Sequence, residues 1–125
     1  MMKNREPGIL VVDDDPDMRV YLRRCLRPLT ERVIEAADGA EALALLDEAG
    51  PGAFDLVIAD VMMPRMDGLA LRRSLSADSA SDRPPVLLVT GEPTGPDDEP
   101  ILRKPFNGAT LRERVAGLLG RSVRS

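Results

Sequence analysis

Apolar and polar positions along this chain follow two different periods. Short apolar runs at Ile9-Leu10-Val11-Val12, Leu56-Val57-Ile58-Ala59 and Val86-Leu87-Leu88-Val89 have the length and β-branched content of strands. Elsewhere the spacing is helical: Met18, Leu22, Cys25, Leu26 and Leu29, then Ala42, Leu43, Leu46 and Ala49, and finally Leu111, Val115, Leu118 and Leu119. The pattern predicts strand 9–13, helix 17–28, strand 32–36, helix 39–49, strand 55–60, helix 68–77, strand 86–89, a short strand 101–103 and a closing helix. Such alternation requires parallel strands joined by crossover helices, so the fold class is α/β, a doubly wound five-stranded parallel sheet.

Local punctuation agrees with these bounds. Asp15 is placed to cap the first helix with Pro16 at its first position, Gly50-Pro51-Gly52 closes the second, and Asp67-Gly68 opens the third. Residues 78–85 form a polar connector, and the tails 1–8 and 120–125, with few groups to bury, are expected to be loose around a single domain at 9–119. Between the fourth and fifth strands, residues 91–100 carry three prolines and two glycines, which exclude a regular helix. Ten residues span at most about 33–36 Å, enough for a crossover, so the fourth helix is expected to be reduced or replaced by a loop. That segment is expected to be mobile and to order on activation.

Several strands end in polar groups. Ile9 to Val12 leads into Asp13-Asp14-Asp15, the third strand ends on Asp60, the fourth on Thr90, and the fifth delivers Lys104 ahead of Pro105 and Phe106. In an open parallel sheet ligands bind outside the carboxyl ends of the strands, so these groups are expected to converge. Gathered carboxylates repel one another unless a cation sits between them, and oxygen ligands without histidine suit a hard ion such as magnesium. An EF-hand reading of Asp13, Asp15 and Asp17 fails, because its sixth position would be Met18 and its twelfth Arg24. Asp15 and Asp17 are read as turn and cap residues.

Composition narrows the function classes. The 17 Lys and Arg against 21 Asp and Glu give a net charge of −4, with no basic tract, so direct nucleic-acid binding is not expected. Cys25, the sole cysteine, has no disulfide partner within the chain and falls among apolar helix positions, which reads as core and fits a reducing, cytoplasmic setting. No apolar run approaches a membrane span, and the first residues do not form a secretory signal.

Val-Val-Asp-Asp-Asp-Pro at 11–16, Asp-Val-Met-Met-Pro-Arg-Met-Asp-Gly at 60–68, Val-Thr-Gly at 89–91 and Lys-Pro-Phe at 104–106, in that order, resemble the receiver domain of two-component response regulators. The likeness spans nearly the whole chain and implies a flavodoxin-like receiver fold and a phosphorelay role. It implies Asp60 as phosphoacceptor and a Mg2+ site of Asp13, Asp14, Asp60 and the main-chain carbonyl of Met62, in which Asp14 and Asp60 ligate directly and Asp13 acts mainly through water. It assigns Thr90 and Lys104 to the phosphoryl group, and the Met62 side chain and Glu92 to tuning of aspartyl-phosphate lifetime. The implied partner is a sensor histidine kinase or histidine phosphotransfer protein, which must supply the histidine because this chain has none. Two features depart from the family pattern: Ile101 stands where an aromatic switch residue is common, and the fourth helix is missing from the sequence pattern. The Thr-Gly motif and reduced fourth helix resemble a receiver subgroup.

Two other readings compete. An Asp-nucleophile phosphohydrolase of the haloacid-dehalogenase type would use Asp13 to Asp15 but leaves Asp60 unexplained and lacks length for a cap domain. A pseudo-receiver would bind without phosphorylation. With no effector domain following residue 119, the module is expected either to act alone or to have been cut from a larger chain such as a hybrid kinase.

Overall fold

Ile9–Val12 forms β1 with every residue buried, and the chain then turns directly into α1, Pro16–Leu26. The computed structural model describes residues 6–50, 52–60, 70–71, 73, 84–90, 101–103 and 107–123. Within them β2 is Val33–Ala36, α2 Gly39–Ala49, β3 Leu56–Asp60, β4 Val86–Thr90, β5 Ile101–Arg103 and α3 Gly108–Val123. All neighbouring strands pair in parallel, in the order β2-β1-β3-β4-β5.

A parallel strand buried on both faces sends alternate side chains to opposite layers. Ile9, Val11, Leu56, Ile58, Leu87 and Val89 face one core, shared with Leu22, Cys25 and Leu26 of α1 and Leu111, Val115, Leu118 and Leu119 of α3. Leu10, Val12, Val57, Ala59, Val86 and Leu88 face the other, with Ala42 and Leu46 of α2 and the helical residue Leu71. This is the doubly wound sheet that the alternating pattern predicts. Each fully buried leucine or isoleucine contributes about 1.5–3 kcal/mol from burial.

Asp15 caps α1, accepting from the Asp17 amide, and Pro16 occupies the first turn as expected. Asp38, which the sequence pattern did not single out, caps α2 by accepting from the Glu41 amide at 2.8 Å, while Glu41 accepts from the Ala37 amide at 2.6 Å. Gly50 ends α2 with φ +86°, a left-handed conformation natural for glycine.

Three details differ from expectation. Ala49, placed on the buried face by its spacing, is exposed because α2 ends there and turns away at Gly50. The closing helix runs to Val123, into the stretch expected to be a loose tail, although its last buried residue is Leu119. Residues 6–8 are tied down: the Gly8 amide donates to Asp55 Oδ2 at 2.9 Å, and Thr30 Oγ donates to the Pro7 carbonyl at 2.7 Å. A Cβ at Gly8 would lie 2.8 Å from the Ala53 carbonyl, so this close strand entry requires glycine. Of the third expected helix only Ala70, Leu71 and Arg73 are described, and they are helical. The expected Asp67-Gly68 opening, the expected loop at 91–100, Lys104 and Met62 lie outside the described residues.

Candidate functional site

The register of β1 against β3 builds the site. Val12 pairs with Ala59, so the next residues, Asp13 and Asp60, stand side by side at the sheet's carboxyl edge. Asp13 is 2% exposed and Asp60 9%, whereas Asp14, one step further along the turn, is exposed. Carboxylate oxygens of all three lie within 4.8 Å of one another. A buried, a nearly buried and an exposed acid therefore face a common point with one side open to solvent.

Backbone contacts hold this end of β1. The Asp13 amide donates to the Ala36 carbonyl of β2 at 3.1 Å, and Asp13 Oδ1 accepts from the Asp15 amide at 2.9 Å. Asp15 in turn accepts from the Asp17 amide at 3.0 Å, so Asp15 and Asp17 serve the turn and the helix start, as read from sequence. Arg19, one turn into α1, reaches back over the strand end and donates through Nη1 to the Asp13 carbonyl at 2.6 Å.

The same guanidinium donates from Nε to Glu35 Oε1 at 3.0 Å, and Arg23 donates from Nε to Glu35 Oε2 at 3.0 Å. Burial pushes the Glu35 carboxyl up, but the hydrogen bonds and charges of Arg19 and Arg23 outweigh it and hold the group below the usual glutamate range. Arg19, Arg23 and Glu35 were not found from sequence. Their meeting depends on the β1–β2 register, in which Val11 pairs with Glu35.

Three carboxylates this close repel one another, and an oxygen-only donor set of this charge fits a hard divalent cation such as magnesium. Among the described residues this is the only cluster of its kind. On the backbone, Thr90 ends β4 one residue beyond Val89, which pairs with Asp60, and Thr90 itself pairs with Arg103 of β5. That register puts the ends of β3, β4 and β5 along one edge. Ile101 opens β5, opposite Leu88. Side chains of Thr90 and Ile101, and the whole of Met62, Glu92 and Lys104, are outside the described residues.

Residues 9–116 match the family model described as the response regulator receiver domain. The chain is 33% identical over 126 residues to the sensor histidine kinase TmoS of Ectopseudomonas mendocina, covering 94% of this chain and 12% of that protein. It is 39% identical over 125 residues to the transcriptional activator protein PfeR of Pseudomonas aeruginosa, covering 92% of this chain and 38% of that one. Both curated relatives are thus far longer than the matched region. The solved signal receiver domain of an HD domain-containing protein from Pseudomonas fluorescens Pf-5 has a TM-score of 0.82 and 28% identity, covering 97% of this chain and 100% of that one.

Proposed function

The chain belongs to the response regulator receiver family, and on that premise we propose that Asp60 accepts a phosphoryl group from a partner's phosphohistidine. A phosphoacceptor role in two-component signalling is common to this family and to its relatives in kinases and regulators. The observation that carries the choice of residue is the convergence of Asp13, Asp14 and Asp60 within 4.8 Å at the sheet's carboxyl edge. Only Asp60 of the three ends the central strand β3.

An Asp60 carboxylate oxygen attacks the phosphorus, the O–P bond forms as the P–N bond breaks, and the electron pair leaves with the imidazole nitrogen. The product is an aspartyl phosphate, which water later returns to aspartate and inorganic phosphate. Magnesium, when held by Asp13, Asp14, Asp60 and the Met62 carbonyl, supplies positive charge against the acids and the phosphoryl oxygens. Asp13 is fixed by the backbone, and Asp14, on the open side, completes the anionic set. Thr90 and Lys104 are assigned to the phosphoryl oxygens, and Met62 and Glu92 to the lifetime of the product. With isoleucine at 101, the relay from the site does not use an aromatic side chain there.

In this reading the chain is a cytoplasmic signalling module that promotes only its own phosphorylation and dephosphorylation. Its partner is a sensor histidine kinase or histidine phosphotransfer protein. No helix among the described residues is long and apolar enough to cross a membrane. Mass spectrometry after treatment with acetyl phosphate and magnesium tests the assignment. A single phosphoryl group on Asp60 is expected, and an Asp60→Asn chain modified at the unsubstituted rate would refute it.

A further inference from the structure

Consecutive acids pose a geometric problem, because Asp13 and Asp14 share one peptide unit whose plane sets the direction of both side chains. A rotation of that plane would swing one carboxylate away as it improved the other. Its carbonyl, that of Asp13, accepts from Arg19 Nη1 at 2.6 Å, while the amide before it is held by the Ala36 carbonyl and the Asp13 carboxylate by the Asp15 amide. Arg19 is itself aimed from the far side by Glu35, whose second oxygen is held by Arg23. The Arg19 side chain is 18% exposed against 38% for Arg23, so the inner arginine is the better shielded of the two.

We infer that Arg19 is a positioning residue for the acidic pocket. It locks the peptide between Asp13 and Asp14 so that both carboxylates, with Asp60, present oxygens to one cation, and Glu35 sets its guanidinium plane. This rests on the reading of the cluster as a magnesium site. Arg23 supplies a matched control, because it shares the Glu35 fork but makes no hydrogen bond to the Asp13 carbonyl among those described. Loss of Arg23 therefore loosens the α1–β2 contact without freeing the peptide.

Isothermal titration of the full chain with magnesium chloride at low ionic strength, alongside thermal melting, tests the inference. Partners that orient a ligating group commonly govern metal affinity by 10–100-fold, so Arg19→Met is expected to raise the magnesium Kd roughly tenfold. Arg23→Met is expected to lower the melting temperature but leave the Kd unchanged. Arg19→Lys, which keeps a donor for only one of the two acceptors, is expected to fall between Arg19→Met and the unsubstituted chain, and it decides the matter if Arg19→Met does not fold. The carbonyl carbon resonance of Asp13 should move in the Arg19 variants and stay put in Arg23→Met.

Unchanged magnesium affinity in the Arg19 variants would overturn the inference while leaving the metal site intact. Equal weakening by Arg23→Met would also overturn it, since the effect would then belong to the fork and not to the peptide. An unsubstituted chain that takes no magnesium would remove the metal reading and this inference together.

Discussion

Replacing Asp14 by asparagine removes one charge from the acidic cluster while leaving an exposed side chain of nearly the same shape. At 4.8 Å, the outer limit of the observed separations, two unit charges repel by about 0.9 kcal/mol in water and about 3.5 kcal/mol at an effective dielectric of 20. The exposure of Asp14 selects the lower figure, so relief from both neighbours is worth about 1.7 kcal/mol. Asp14 also lies just ahead of α1, where a negative charge gains ~0.5 kcal/mol from the helix N-terminus, and that gain is lost. About 1.2 kcal/mol of stabilisation remains, which for a domain of 125 residues raises the melting temperature by about 5 °C. Thermal melts followed by circular dichroism in low-salt buffer with EDTA measure it. The gain should shrink to about half at 0.15 M salt, and it should reverse in millimolar magnesium, where the unsubstituted chain gains ligand stabilisation that the variant has partly lost. An Asp14→Asn chain no more stable than its parent in low-salt EDTA would refute the gathering of like charges at this edge.

The core and the outer fork yield further tests. Leu111, fully buried in α3 against α1 and the sheet, should cost about 3 kcal/mol when cut to alanine, read from urea unfolding midpoints. Glu35 has a folded pKa below its ordinary 4.5, so its contribution is fully present above that value and is lost as pH falls through the lower, folded one. Stability should therefore fall less steeply with acid below about pH 4.5 in Glu35→Gln than in the unsubstituted chain, and parallel acid limbs would count against the pairing with Arg19 and Arg23.

Strands β1, β3 and β4 were legible because their burial on both faces leaves nearly unbroken apolar runs, and α2 because its stripe and flanking glycine set its bounds. The gathering of Asp60 with its acidic neighbours was legible for a related reason. Each follows a run that has to end at the same edge of a parallel sheet. Arg19 was not, since arginine at a helix start reads as a solvated charge until β2 brings Glu35 alongside. Ala49 was misread because a helical period carries no information about where the helix leaves the sheet.

The strand order explains why Asp13 and Asp60 meet although 47 residues separate them in sequence. From β1 the chain first winds outward to β2, then returns across β1 to lay down β3 on its other side. The crossovers thus diverge between β1 and β3, and the crevice they leave opens at the carboxyl ends of those two strands. The pairing of Val12 with Ala59 sets the two acids level at that crevice. A one-residue slip would send one of them to the opposite face. Register is in turn enforced by the cores, because Ile9 and Val11 share one layer with Leu56 and Ile58, and Leu10 and Val12 the other with Val57 and Ala59. Hydrophobic burial on both faces therefore fixes the separation of the charged groups, and the energy that holds the like charges together comes from the packing of the two apolar layers.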